Sequence, residues 1–469
     1  MKSLTPFIKV AASAAISTVL LSGCNDDNND DATNNTLTEA PFTVTEVLTQ
    51  NAKMAHAVYS DAVTTASSLK AGINDFVAKD APTNADLAEL KMLWLAAREP
   101  YGLSEVYRFR EGPIDNLNDG GNMVEGEGPE GRINAWPLGE ALIDYVATGM
   151  TDGNEGAGAP GTVTNNIIAD TSITIDKATL ASLNEAGENE ANIATGYHAI
   201  EFLLWGQDLN QGVHSWTSSR DMSGGQRPVS DYNTSGGCTS GLNASGVPNT
   251  KTDSVCERRK EYLAAASDLL VDDLTPLQTA WDPAGTNSHY NNFVAGGNAS
   301  LAKILEAMGR LSFGELAGER MNIALATDSQ EDEHSCFSDN THRDIFTNAQ
   351  GVVNTYTGTY TRVDGTVVDG PGIDDLLISA DANLNTKLQT ALDYSMTKIA
   401  AIDEQAKSGK PFDNQIQSIA NGGSQADRDR ITAAITALRN QTNLIEDAIA
   451  ALGVTTGDLC QDTEEFTCE

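Results

Sequence analysis

Apolar residues recur at helical spacing along most of the chain. Val47, Met54, Val58, Ala62, Leu69 and Ile73 fall on one stripe. Leu87, Leu90, Trp94 and Ala97 make a second behind Pro82-Thr83-Asn84, a helix-start signal. A Gly-rich stretch over 112–131 interrupts the pattern, and helices are expected again over 137–146 and 191–205. The later part predicts helices over 258–280, 301–326, 373–402 and 426–452, the last with Ile431, Ile435, Leu438, Ile445 and Leu452 on its apolar face. Strand signals are few: Ser172 to Ile175 alternates, and Asp364-Gly365 between Tyr360 and Val368 predicts a small hairpin. Gly112-Pro113-Ile114-Asp115 has a counterpart in Gly370-Pro371-Gly372-Ile373-Asp374. That recurrence fits a duplicated four-helix unit and also fits ordinary turn punctuation.

The N-terminus has a different pattern. Lys2 and Lys9 give a basic start, residues 10–21 form an apolar run, and Leu21-Ser22-Gly23-Cys24 follows. This is the layout of a signal peptide over 1–23. The run falls short of the roughly twenty residues that span a bilayer, so an uncleaved anchor is the weaker reading. Leu-Ser-Gly-Cys resembles the bacterial lipobox, which implies acylation of Cys24 and a membrane partner through that lipid. Residues 24–40 then read as a flexible acidic tether. Asn25 rather than Asp after the cysteine, by resemblance to lipoprotein sorting signals, favours the outer membrane. The expected location is therefore the cell envelope, facing the periplasm or the cell surface.

Length and charge narrow the picture further. The chain beyond residue 23 exceeds what one hydrophobic core usually serves, so two domains are expected: 41–210 and 257–455, with a Gly/Ser/Asn-rich connection over 211–256 and a tail over 456–469. Removing residues 1–23 takes away two of 29 basic residues and no acid, leaving 27 − 66 = −39. Such a surface repels nucleic acid and is compatible with cations. Outside the cytoplasm disulfides form. Pairing Cys238 with Cys256 and Cys460 with Cys468 leaves Cys336 unpaired.

Three clusters could carry chemistry. In Gly196-Tyr197-His198-Ala199-Ile200-Glu201-Phe202-Leu203-Leu204-Trp205 the helix is apolar nearly all round, so it should be buried, with His198, Glu201 and Trp205 sharing a face. A buried imidazole and a buried carboxylate both need partners. A divalent cation would satisfy both, since His and Glu at i and i+3 can converge on one ion. A His–Glu hydrogen bond, or an ion pair to an arginine, would do so without metal. Arg98, Tyr101 and Glu105 would share another helical face, with a kink or restart expected at Pro100 and Gly102. The segment Gln330-Glu331-Asp332-Glu333-His334-Ser335-Cys336-Phe337-Ser338-Asp339-Asn340-Thr341-His342 concentrates acids, two histidines and a thiol, and Cys336 and Phe337 favour its partial burial. There is no His-Glu-x-x-His, no phosphate-binding Gly-x-x-x-x-Gly-Lys, no Gly-x-Ser-x-Gly elbow and no complete calcium loop.

Gly196-x-His198-x-x-Glu201 matches the Gly-x-His-x-x-Glu signature of the imelysin family in full. Arg98-Glu-Pro-Tyr101 through Asp115, Asn134-Ala-Trp-Pro137, Gly318-Glu-Arg-Met321 and Glu331 through His342 resemble its iron-regulated-protein branch. The similarity covers roughly residues 45–455. It implies an all-α fold of two four-helix-bundle-like domains, a duplicated unit, with the signature helix near their interface. It also implies a site for a divalent metal, iron or zinc. His198 and Glu201 would be ligands, with Glu105, Glu331, Glu333 and His334 as further candidates. Arg98, Tyr101, Gly196, Trp205, Asp339 and His342 would shape the site. Two functions fit this resemblance: capture of a metal ion or metal complex for envelope uptake, with an uptake partner, or a zinc metallopeptidase using the His-x-x-Glu motif. The first is favoured, because no general base is evident.

Overall fold

The apolar stripes become long helices, three of which begin at a Thr or Ser side chain, Thr43, Thr83 or Ser424, that accepts a free N–H of the first turn. The computed structural model describes residues 42–146, 166–187, 189–208, 222–242, 248–286 and 288–460. Helix α1 runs Val44–Val77 and α2 runs Asn84–Ser104. Thr43 and Thr83 cap them in capping boxes closed by Glu46 and Asp86. The remaining long elements are α3, Gly196–Trp205; α4, Asp253–Ala280; α5, Asn298–Arg310; α6, Thr341–Thr357; α7, Ile373–Lys407; and α8, Gln425–Ala451. From α5 the chain continues as a π-helix over Leu311–Ile323.

Helix α1 packs on α2 and α4, α2 on α6, and α7 on α6 and α8. One apolar core draws on all of α1 through α8, and a smaller one lies among the π-helix, α6, α7 and α8. Among the described residues strand is confined to two short antiparallel pairs: β1, Thr239–Leu242, with β2, Pro248–Thr250, and β3, Thr359–Thr361, with β4, Val367–Asp369. The fold is all-α; duplication of a four-helix unit is not confirmed by it. The Gly-Pro recurrence does have a local counterpart in structure. Gly112 and Gly372 each begin a helix with an Asp at the third position, whose carboxylate accepts the glycine N–H at 3.3 and 3.0 Å.

Several expectations are corrected. Ser172 to Ile175 forms no strand: Ser172 and Ile173 lie in a turn and a bend, and Thr174 and Ile175 are irregular. Within 137–146 only Glu140–Ile143 is helical, and the signature helix starts at Gly196 rather than at residue 191. Helix α2 passes through Pro100 to Ser104 without restarting, and a 3-10 turn over Glu105–Tyr107 follows it. A Cβ at Gly102 would lie 2.0 Å from Thr347 Oγ1, so only glycine permits that approach. Helix α6 was not anticipated. The Asp364-Gly365 hairpin is present as β3–β4. Cys238 and Cys256 are bridged and Cys336 is free and buried; Cys468, like residues 1–41 with the signal peptide and the whole tether, lies outside the described residues. Among the described residues no helix is long and apolar enough to cross a membrane.

Candidate functional site

Gly196 fixes where α3 begins. Its φ is +78°, and a Cβ would sit 2.4 Å from the Ile133 carbonyl oxygen, so the backbone conformation and the close approach both require glycine. Gly196→Ala should lower stability by about 2 kcal/mol or more, measured by urea unfolding. A loss under about 0.5 kcal/mol would show that the loop at residues 132–133 yields easily.

Every residue of α3 is buried, so its two polar side chains must be satisfied locally. His198 Nδ1 and Glu201 Oε2 lie 2.8 Å apart, both fully buried. The other carboxyl oxygen of Glu201 accepts the backbone N–H of Ser338 at 3.0 Å and its hydroxyl at 2.6 Å. The His–Glu hydrogen bond, one of the three arrangements the spacing allows, is present. That leaves one ring atom over: Nε2 of His198 is buried without a hydrogen-bond partner. Burial, with Arg98 and Arg320 adding to it, holds this imidazole well below its ordinary pKa, so it is neutral. Burial pushes the Glu201 carboxyl up to about 8, against the Ser338 hydrogen bonds and Arg98, with Asp344 adding to the rise.

His334 stands edge-on to His198, ring centroids 4.7 Å apart. A chain of fixed donors orients it. Arg98 grips Asp344 Oδ1 through Nε at 3.3 Å and Nη2 at 2.8 Å, and its Nη1 donates to Asn134 Oδ1 at 2.5 Å. Arginine only donates, so the amide of Asn134 is fixed with its Nδ2 toward His334 Nε2 at 3.2 Å. His334 Nε2 is therefore an acceptor, and its proton sits on Nδ1. Burial, with Arg320 and His198 adding, keeps this ring neutral too. The rings of Trp94, Tyr101 and Tyr197 surround the Arg98 guanidinium at 5.8, 5.4 and 5.0 Å. Half-buried Trp136 covers the pair of imidazoles, 4.9 Å from His198 and 6.4 Å from His334.

The other anticipated residues divide. Glu105 is held by Arg320, at 3.3 and 2.5 Å, and by Asn348 at 3.2 Å, so it is committed to these groups. Burial opposes its ionisation, but Arg320 and Arg108 outweigh it and hold the carboxyl below its ordinary value. Tyr101 packs on Tyr197, and its buried hydroxyl has no partner. Trp205 meets Trp94 and Lys91. His342 turns to the Asp339 carbonyl at 3.0 Å and to Asp403 at 3.8 Å, away from the signature pair. Glu333 is fully buried and Glu331 half-buried. Among the described residues, no three His, Cys, Asp or Glu side chains are grouped to hold a metal ion. Sequence reasoning missed Asn134, Trp136, Ser338 and Asp344 as site residues, although the first three fall within the segments that carry the family resemblance.

Fold and site together define a helical protein built around a buried histidine–glutamate pair. The profile of the imelysin family matches residues 55–445, and the chain belongs to that family. Two solved structures share the fold. One, described as an iron-regulated protein A precursor from Parabacteroides distasonis, aligns with a TM-score of 0.56 at 16% identity over 88% of this chain and 97% of its own. The other, an imelysin-like protein from Psychrobacter arcticum, gives 0.54 at 16% over 89% and 98%. The comparison with curated proteins finds no match.

Proposed function

We propose that this protein is a lipid-anchored envelope component that captures iron or another divalent cation for uptake, with His198 Nε2 as its point of contact. The observation that supports this reading is the neutral, buried imidazole whose Nδ1 is held by the Glu201 carboxyl group while Nε2 has no partner. A carboxyl group that fixes one ring nitrogen in this way orients the opposite one toward a cation. Glu201 is then the orienting residue and not a second ligand.

A cation needs four to six ligands, and one or two imidazoles supply few of them. The cargo would therefore keep waters or a chelating molecule as it docks, and affinity would be moderate. Binding at Nε2 displaces the proton there; the carboxyl proton of Glu201 passes to Nδ1, and one proton leaves. The description of the first structural relative as iron-regulated makes iron the leading cargo. A zinc metallopeptidase would need three side-chain ligands around one ion, and no such group is found among the described residues.

The test is calorimetric titration of the mature protein with ferrous iron and with zinc in buffers of different ionisation heat. Saturable binding with release of one proton is expected, weakened at least tenfold in His198→Ala. Equal affinity in parent and variant would overturn the reading. Anchoring is tested separately. Cys24→Ala should lose the acyl mass and membrane retention, and normal fractionation with an unchanged N-terminal mass would refute the lipid anchor.

A further inference from the structure

Arg110 is 2% exposed, and it differs from the other buried arginines among the described residues. Arg98, Arg227, Arg259 and Arg320 each pair with a carboxylate. Arg110 forms no ion pair. Its Nη1 donates to Asn51 Oδ1 at 2.8 Å, while Nε and Nη2 have no acceptor. Those two nitrogens form one flat edge of the guanidinium, with two parallel N–H groups. In three other arginines of this fold that edge grips a carboxylate: Asp344 in Arg98, Asp144 in Arg259 and Glu99 in Arg343.

The surroundings of Arg110 offer further donors. Because arginine only donates, Asn51 presents Oδ1 to it, and Asn51 Nδ2 is left as a buried donor without an acceptor. The guanidinium lies over the Tyr107 ring at 4.7 Å. Tyr107 packs 6.0 Å from Trp281, whose Nε1 also lacks a partner. Asp115 is spent on the loop backbone, accepting the N–H of Gly112. Phe109 and Glu111, on either side of Arg110, both have positive φ, +59° and +52°. These conformations are strained for side-chain-bearing residues, and they turn Arg110 inward while Glu111 faces solvent at 74% exposure. Burial lowers the Arg110 pKa to about 10, which still leaves it charged at neutral pH.

We infer that Arg110 is the base of a binding site for a small carboxylate, sharing no residue with the His198–Glu201 pair. A buried charge without a counter-ion is unfavourable, and a ligand that only accepts hydrogen bonds is what a group of donors calls for. The flat two-nitrogen edge matches the two oxygens of a carboxylate, and the depth of the site favours a small molecule over a side chain of another protein.

The test uses the mature protein without added metal, with acetate as the probe. Unfolding midpoints in sodium acetate are compared with those in sodium chloride of equal ionic strength, and arginine Nε–H resonances are followed by NMR. Acetate should raise the midpoint by about 1–3 °C and shift one Nε–H signal to saturation; chloride should do neither. Arg110→Met should abolish both responses. Asn51→Asp, which builds an acid beside the guanidinium, should abolish them as well and serves if the methionine variant does not fold. Equal acetate responses in parent and variants, or none in the parent, would overturn the site. A larger response to inorganic phosphate than to acetate would overturn its assignment to carboxylates.

Discussion

Arg98→Ala is expected to lower stability by about 3–5 kcal/mol, the largest effect of any single replacement proposed for this protein. Arg98 and Asp344 are both 1% exposed, so removing the guanidinium leaves a charged carboxylate buried with only Ser335 donating to it. Asn134 also loses the donor that fixes its amide, and with it the orientation of His334. Urea unfolding measures the loss. Arg98→Met combined with Asp344→Leu separates charge from packing, because apolar replacement of both members of a buried pair is often neutral or better. The double variant should recover most of the stability while leaving His334 unheld. If Arg98→Ala falls by less than about 1 kcal/mol, the pair is not what joins α2 to α6.

The second large effect depends on pH. Glu201 titrates near 8 in the folded protein and near 4.5 when unfolded, so the folded state keeps a proton that the unfolded chain releases. The stability tied to that proton is fully present below about 4.5 and is lost as pH rises toward 8, at about 1.4 kcal/mol per unit. His198 and His334, held neutral by burial, act oppositely. Their contribution grows as pH rises to 6.5 and is constant above it. Between pH 6.5 and 8 the Glu201 slope therefore stands alone among the three. Chelator-treated parent protein should lose about 2 kcal/mol over that interval relative to Glu201→Gln, which cannot ionise. A constant difference between the two would show that Glu201 ionises in the ordinary range. The glutamine amide would also donate to His198 Nδ1, keep the proton on Nε2 and weaken cation binding as strongly as His198→Ala.

What the sequence made legible was local. The α3 helix announced its burial because Ile200, Phe202, Leu203 and Leu204 leave no polar face, and the spacing of His198 and Glu201 places them within reach of each other. The partners that settle what the pair does were not legible. Ser338 lies 137 residues from Glu201, and Asp344 lies 246 residues from Arg98; periodicity carries no information about such distant contacts. Helix α6 had a readable stripe in Ile345, Ala349, Val352 and Tyr356, but the run of acids and histidines just before it drew attention to chemistry instead. Pro100 misled in the opposite direction. A proline usually interrupts a helix, yet α2 continues through it to Ser104, where Gly102 lies against Thr347.

The hydrogen bonds from Ser338 to Glu201 have a consequence for the order in which the molecule is made. A chain synthesised from its N-terminus completes α3 well before residue 338 exists. During that interval Glu201 lacks two of its three hydrogen bonds, both from Ser338, and Phe202 lacks Phe337, its neighbour at 5.2 Å. The most apolar of the long helices among the described residues is then uncovered, so a nascent chain that stalls in this interval has reason to bind a chaperone or aggregate. The site is among the last parts of the fold to become whole, and a product ending near residue 330 would carry the complete family signature without the geometry that gives it meaning.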